Sequence, residues 1–191
     1  FPREFEMRRI LGDKYRKLKN YEQAIAVYSQ IIENDKLEGT SNIFYSRGIS
    51  YEQNKNWEKA EQDLKRSLDL NPNDPYVMNY LAYSWLDRKM NIDKALELLK
   101  KAVDLEPSDG YIRDSLGWAY FLSKKFEDSV YHLEKAVVML PNDATLNDHL
   151  GDAYWMSNRK SEALSQWKKV LVLDPDYKDK NLVHKKINKG L

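Results

Sequence analysis

The chain has 191 residues, 42% of them hydrophobic and 32% charged, a balance that supplies a core and excludes a disordered polar tail. Lys and Arg (31) nearly match Asp and Glu (30). The net charge of +1 therefore lacks the basic excess expected of a nucleic-acid or anionic-membrane binder. A mean hydropathy of -0.75 with no run of roughly 18 apolar residues predicts no membrane span, and the absence of Cys excludes disulfides, thiol nucleophiles, Cys-type zinc sites and iron–sulfur clusters.

Apolar spacings of three and four, with no strand-like alternation, predict helix throughout. In chain order the expected pairs are 5–18 with 21–35, 41–54 with 57–70, 75–88 with 92–105, 110–123 with 126–139 and 144–157 with 160–173, followed by a last helix over 178–189. Residues Arg88 to Ile92 carry one extra position, which predicts a longer turn inside the third pair. These pairs organise the chain as one domain, 1–191, with units 5–39, 41–73, 75–108, 110–142 and 144–176 and a C-terminal capping helix.

The pairs repeat. Pro72, Pro107, Pro141 and Pro175 recur at intervals of 34 or 35 residues, and Gly12, Gly48, Ala82, Gly117 and Gly151 are each followed three residues later by Tyr15, Tyr51, Trp85, Tyr120 or Tyr154. A second small slot follows at Ala24, Ala60, Ala95, Ser129 and Ala163. Small slots let two antiparallel helices approach, and the aromatic fills the space above them. Pro closes a unit, while Asp74, Asp109 and Asp143 stand where a side chain accepts orphan amide hydrogens at a helix start.

Leu116, Gly117, Tyr120, Ser129, Leu133, Ala136 and Pro141, repeated as Leu150, Gly151, Tyr154, Ala163, Trp167 and Pro175, resemble the tetratricopeptide repeat across residues 5–175. The pentatricopeptide repeat has a similar period, but it lacks the Gly-x-x-Tyr slots and reads RNA with a basic surface. The resemblance implies an all-α, right-handed α-solenoid of five helix-turn-helix units with a concave groove lined by the first helix of each pair. It also implies a solvating C-terminal helix, with Leu182, Val183 and Ile187 buried and Lys178, Lys180, Lys185, Lys186 and Lys189 facing water. The first unit departs from the pattern, with Lys36 in the closing Pro slot and Arg8 before its Gly-x-x-Tyr. The fourth and fifth units are similar to bacterial members.

In that family, groove positions alternate with the packing slots. The matching positions here are Arg9, Asp13 and Lys17; Tyr45, Ile49 and Glu52; Tyr76, Asn79, Tyr83 and Asp87; Tyr111, Asp114, Trp118 and Phe121; and Asp148, Asp152 and Trp155. The expected partner-binding set is Tyr45, Asn79, Tyr83, Asp114, Trp118, Phe121, Asp148, Asp152 and Trp155, an aromatic groove rimmed by solvated carboxylates. Such a groove suits an extended peptide or partner helix with apolar and basic side chains. The Lys and Arg clamp by which some members grip a terminal carboxylate is missing, since those slots hold Tyr45, Asn79, Asp114 and Asp148.

No catalytic constellation emerges. His132, His149 and His184 have no helical zinc-ligand spacing, and there is no phosphate-cradling Gly loop or Gly-x-Ser-x-Gly elbow. The cluster Asp148, His149 and Asp152 reads as groove wall in preference to a metal or acid–base pair. Neither enzyme chemistry, a metal nor a cofactor is therefore expected, and Asp in the groove argues against nucleic acid. Seven Lys against three Asp between Lys168 and Lys189 read as the solvated face of the cap.

The expected function is a protein-interaction scaffold. Two alternatives stay open: a docking or regulatory domain of a larger enzyme or envelope assembly, and self-association through the degenerate first unit. The start at Phe1-Pro2-Arg3 is that of a processed or trimmed piece, and the compartment stays open between cytoplasm and periplasm.

Overall fold

A computed structural model of the protein describes residues 2–34 and 41–191. Lys36, the departure expected in the first unit, lies outside them. The described residues form eleven helices and no strand: α1 (Pro2–Lys17), α2 (Tyr21–Asn34), α3 (Ser41–Gln53), α4 (Trp57–Leu70), α5 (Pro75–Asp87), α6 (Ile92–Leu105), α7 (Gly110–Leu122), α8 (Phe126–Met139), α9 (Ala144–Met156), α10 (Lys160–Leu173) and α11 (Lys180–Lys189). The helix pairs follow the expected ranges within a few residues. Among the described residues no helix is long and apolar enough to cross a membrane.

Two compact units are present, residues 1–77 and 78–191. In the first, Ala24, Val27, Tyr28 and Ile31 of α2 form a core with Ile43 of α3, with Phe5 and Tyr15 of α1 packed against it. Burial lifts the Tyr28 phenol to about 12, and its hydroxyl donates to Asp13 Oδ1 at 2.7 Å. Arg47 ties three helices together: its Nε and Nη2 donate to Asp63 on α4 at 2.7 and 2.8 Å, and its Nη1 donates to Ser29 on α2 at 3.0 Å.

In the second unit the small slots are contact points. At Gly117 a Cβ would stand 2.6 Å from Leu133 Cγ, and at Gly151 2.5 Å from Trp167 Cδ1, so side-chain-free backbone is what lets α8 and α10 press against α7 and α9. Ser129, in the slot that holds Ala elsewhere, satisfies its hydroxyl by donating to the Gly117 carbonyl at 2.8 Å. Asp109 Oδ1 accepts the Tyr111 and Ile112 amides at 2.8 and 3.0 Å, and Asp143 Oδ1 accepts the Leu146 amide at 3.1 Å, which starts α7 and α9 where expected.

The other turns inside pairs leave three residues between helices, with a left-handed residue at Lys19, Lys55, Lys124 or Asn158. The turn between α5 and α6 has four residues, and two of them, Lys89 and Asn91, are left-handed. The extra position is absorbed locally and helix α6 keeps its register.

Helix α11 departs from expectation in two places. Lys186, expected in water, is 4% exposed, and Leu182, expected in the buried stripe, is 49% exposed. Val183 is fully buried and Ile187 packs on the same core, so the stripe is Val183, Lys186 and Ile187, at the helical spacings of three and four.

Candidate functional site

A cleft of 280 Å³ opens on the first helices of the second unit. Asn79 and Tyr83, one turn apart on α5, form one wall. Tyr111, Asp114 and Ser115 of α7 form the floor, and Asp143, Thr145 and Leu146 at the start of α9 close the far side. Two carboxylates and no Lys, Arg or His are in this lining. Tyr111 is 55% exposed, whereas Tyr83 is half-buried. Burial raises the Tyr83 phenol, helped by Asp114 and Asp87, so it stays protonated and able to donate. Asn79 Oδ1 is buried and has no hydrogen-bond partner within the described residues. A buried amide oxygen without a donor is an acceptor left unsatisfied.

Asp114 is held from behind. His149 Nδ1 lies 3.0 and 3.1 Å from its two oxygens, and Trp118 stacks on the imidazole at 4.3 Å. Burial opposes a charge on His149, but Asp114, with Asp148 and Asp152 beyond it, outweighs burial and raises its pKa. Trp118 also stacks on Phe121 at 4.7 Å, and Phe121 meets Phe126 edge-on at 5.7 Å. These two rings are half-buried and serve the contact of α7 with α8 and α9.

The carboxylates of α9 do not form a solvated wall. Lys186 Nζ sits 2.8 Å from Asp148 Oδ1 and 2.7 Å from Asp152 Oδ1. Asp148 also accepts from the Tyr177 hydroxyl at 3.4 Å, and Asp152 accepts from Trp167 Nε1 at 2.9 Å. Both Asp residues are 6% exposed. Burial raises the Asp152 carboxyl, while Lys186 pulls it down and Asp148 pushes it up. Trp155 lies under the backbone of Gly190, beneath Lys160 Nζ at 3.8 Å and against Trp167 at 5.4 Å. The acidic, aromatic end of the expected groove is therefore the seat of α11, because the helix brings its own cation.

Of the expected set, the structure brings Asn79, Tyr83 and Asp114 together in the cleft. Trp118 and Phe121 stand behind it, and α11 takes up Asp148, Asp152 and Trp155. Tyr45 lies half-buried in the first unit, where burial and then Asp74 raise its phenol. Sequence reasoning missed Ser115, Thr145 and Leu146 as lining and took Asp143 only as a cap. The signal available was the cap itself, since a residue that starts a first helix stands at the mouth of the groove.

Among the described residues no group of three His, Asp or Glu is placed to hold a metal ion. The titratable groups of the suspected cluster are instead paired outside it, His149 with Asp114 and both Asp148 and Asp152 with Lys186.

Comparison with known proteins bears on this arrangement. Tetratricopeptide repeat family models match residues 10–36, 41–74 and 86–144. The mitochondrial import receptor subunit TOM70 of human and of rat is 34% identical over 64 residues, which is 32% of this chain and only 10% of that protein. Among solved structures, MamA from Desulfovibrio magneticus RS-1 superposes with a TM-score of 0.78 at 21% identity, covering 91% of this chain and 96% of that one. Pseudomonas aeruginosa PilF gives a TM-score of 0.81 at 16% identity, covering 97% of this chain and 83% of that one. At such identities these two likenesses speak for the fold. With helix pairs of the expected period, small slots at the helix contacts and family models over more than half its length, the chain belongs to the tetratricopeptide repeat family.

Proposed function

We propose that the protein is a non-enzymatic interaction scaffold whose 78–191 unit holds an extended peptide in the first-helix cleft. The occupant carries one basic side chain flanked by apolar ones. The observation that carries this reading is the buried, partnerless acceptor Asn79 Oδ1, set beside Asp114 and two tyrosine rings in a lining with no cation. A Lys or Arg head donates to Asn79 and is drawn chiefly by Asp143, since His149 already pairs with Asp114, while its stem and neighbouring apolar groups lie on Tyr83 and Tyr111. The basic preference is narrower than an acidic groove implies, because Lys186 already neutralises Asp148 and Asp152. Family membership supports a scaffold, and the charged residues near the cleft have structural partners, which supports binding without chemistry.

Selection from a displayed random peptide library tests the reading, with wild type and an Asn79→Ala/Tyr83→Ala variant checked for equal helicity. Wild type is expected to enrich Lys or Arg flanked by apolar residues, and the double variant is expected to bind the selected peptides roughly tenfold or more weakly. Sequences without basic residues, or equal affinity for both proteins, would overturn it.

A further inference from the structure

Helix α7 packs against both α6 and α8, and α9 packs against both α8 and α10, so the two furrows between second helices are one repeat apart and their residues correspond. The furrow over α9 holds its own carboxylate. Glu134 of α8 accepts from the Tyr154 hydroxyl at 2.8 Å and from Arg159 Nη1 at 2.9 Å, and the Arg159 guanidinium lies 4.2 Å over the Tyr154 ring. In the furrow over α7 the matching residues are Tyr120, three after Gly117 as Tyr154 is after Gly151; Lys125, four before Ser129 as Arg159 is before Ala163; and Lys100, five after Ala95 as Glu134 is after Ser129. The phenol and the cation are kept. The carboxylate is replaced by a second cation.

The two turns are otherwise alike, since the Lys125 amide donates to the Tyr120 carbonyl at 3.0 Å and the Arg159 amide to the Tyr154 carbonyl at 2.9 Å. Lys100 Nζ stands 5.8 Å from the centre of the Tyr120 ring. Among the described residues the Tyr120 hydroxyl has no hydrogen-bond partner, and neither Lys100 nor Lys125 has an ion pair. His132 of α8 stacks on Tyr120 at 5.3 Å, and its Nδ1 is buried without a partner. Burial and then Arg113 lower His132 to about 4, Lys135 and Lys100 add to this, and Asp128 alone opposes it. Arg113 itself is 9% exposed, leaves Nε buried and unpartnered, and donates only to the Pro107 carbonyl. The furrow thus gathers cations that nothing among the described residues neutralises. We infer that it takes a carboxylate from an acidic segment of a partner protein, seated against the Tyr120 hydroxyl with Lys100 and Lys125 as its cations, where Glu134 is seated one repeat on. The site lies on second helices, takes a ligand of opposite charge to that of the Asn79 and Tyr83 cleft, and stands independently of it.

Titration of the 191-residue chain with a short oligoglutamate peptide, followed through amide and His132 ring resonances, tests it. Saturable shifts are expected at Tyr120, Lys125 and His132. Lys100→Glu gives the furrow a carboxylate of its own and is expected to weaken the peptide about tenfold or more. Lys168→Glu, the same charge change at the same repeat position on α10, is expected to leave the affinity nearly unchanged. Tyr120→Phe removes only the hydroxyl and is expected to weaken binding about fivefold. Neither Lys100 nor the Tyr120 hydroxyl has a hydrogen-bond partner to lose, so circular dichroism should be unchanged in both variants. No saturable shift in the furrow, an equal loss with Lys168→Glu, or indifference to Tyr120→Phe would overturn the proposal. Inorganic phosphate binding more tightly than the peptide would also overturn it, by giving the furrow to a free oxyanion.

Discussion

Lys186 and Asp148 stand 38 residues apart in sequence and 2.8 Å apart in space, and the same ammonium reaches Asp152 at 2.7 Å. One cation buried between two carboxylates anchors α11 on the last repeat and removes from the groove the charge that its sequence advertises. A buried pair costs a great deal to desolvate and a great deal to break.

Lys186→Met is therefore expected to lower the unfolding free energy by about 3 kcal/mol, because it leaves two buried carboxylates with no counter-charge. Adding Asp148→Asn and Asp152→Asn is expected to recover most of the loss. The single variant should also lose less in mildly acidic buffer than at neutral pH, since burial already favours the protonated form of Asp152. Urea titrations of the three proteins measure this, and a loss independent of pH would contradict it.

The two half-buried or buried histidines respond to acid in opposite directions. The pKa of His149 is raised in the fold, so its contribution is complete below the unfolded value of about 6.5 and fades as pH rises through the folded value. His132 is lowered to about 4, chiefly by burial and then by Arg113, so stability is lost as pH falls from about 6.5 towards that value. Thermal midpoints across this range should show His149→Gln most damaging on the acid side and His132→Gln relatively protective there. The reverse pattern would contradict the assigned environments.

Gly151→Ala adds a methyl 2.5 Å from the ring of Trp167, which is fully buried and hydrogen-bonded through Nε1 to Asp152. Alanine gains about 1 kcal/mol of helix propensity, but overpacking a closed core costs about 1–3 kcal/mol, and here the ring has no room to turn. A net destabilisation in denaturant titration is expected, with a blue-shift or intensity change in tryptophan fluorescence.

Asp109→Ala removes the carboxylate oxygen that accepts two amide hydrogens at the start of α7 and is expected to cost about 1 kcal/mol in the same titration. Asp109→Asn or Asp109→Ser should retain most of the stability, because each still presents an acceptor oxygen.

The helices were legible because their signals are local. Pro and Asp mark the ends, Gly117 and Gly151 mark the contacts, and the extra position before Ile92 appears as a longer turn. The cleft was legible in part: Asn79, Tyr83 and Asp114 alternate with packing slots on single helices, and the structure keeps them together. What the sequence hid lies one repeat away. His149 answers Asp114 across 35 residues, and Lys186 answers Asp152 across 34. Such pairs form only when the next helix stacks, and periodicity within a helix carries no trace of them. Lys186 in particular sits among four other lysines between 178 and 189, where a cation reads as solvated surface.

The central claim, that the Asn79 and Tyr83 cleft is the peptide site, is tested most directly by an amide nuclear magnetic resonance titration of the labelled protein with a selected basic peptide. The account predicts shifts concentrated at Asn79, Tyr83, Tyr111, Asp114, Ser115 and Thr145, with α8 and α10 unmoved. Shifts centred on α8 and α10, or on the Lys-rich α11, with the cleft residues unchanged, would contradict it.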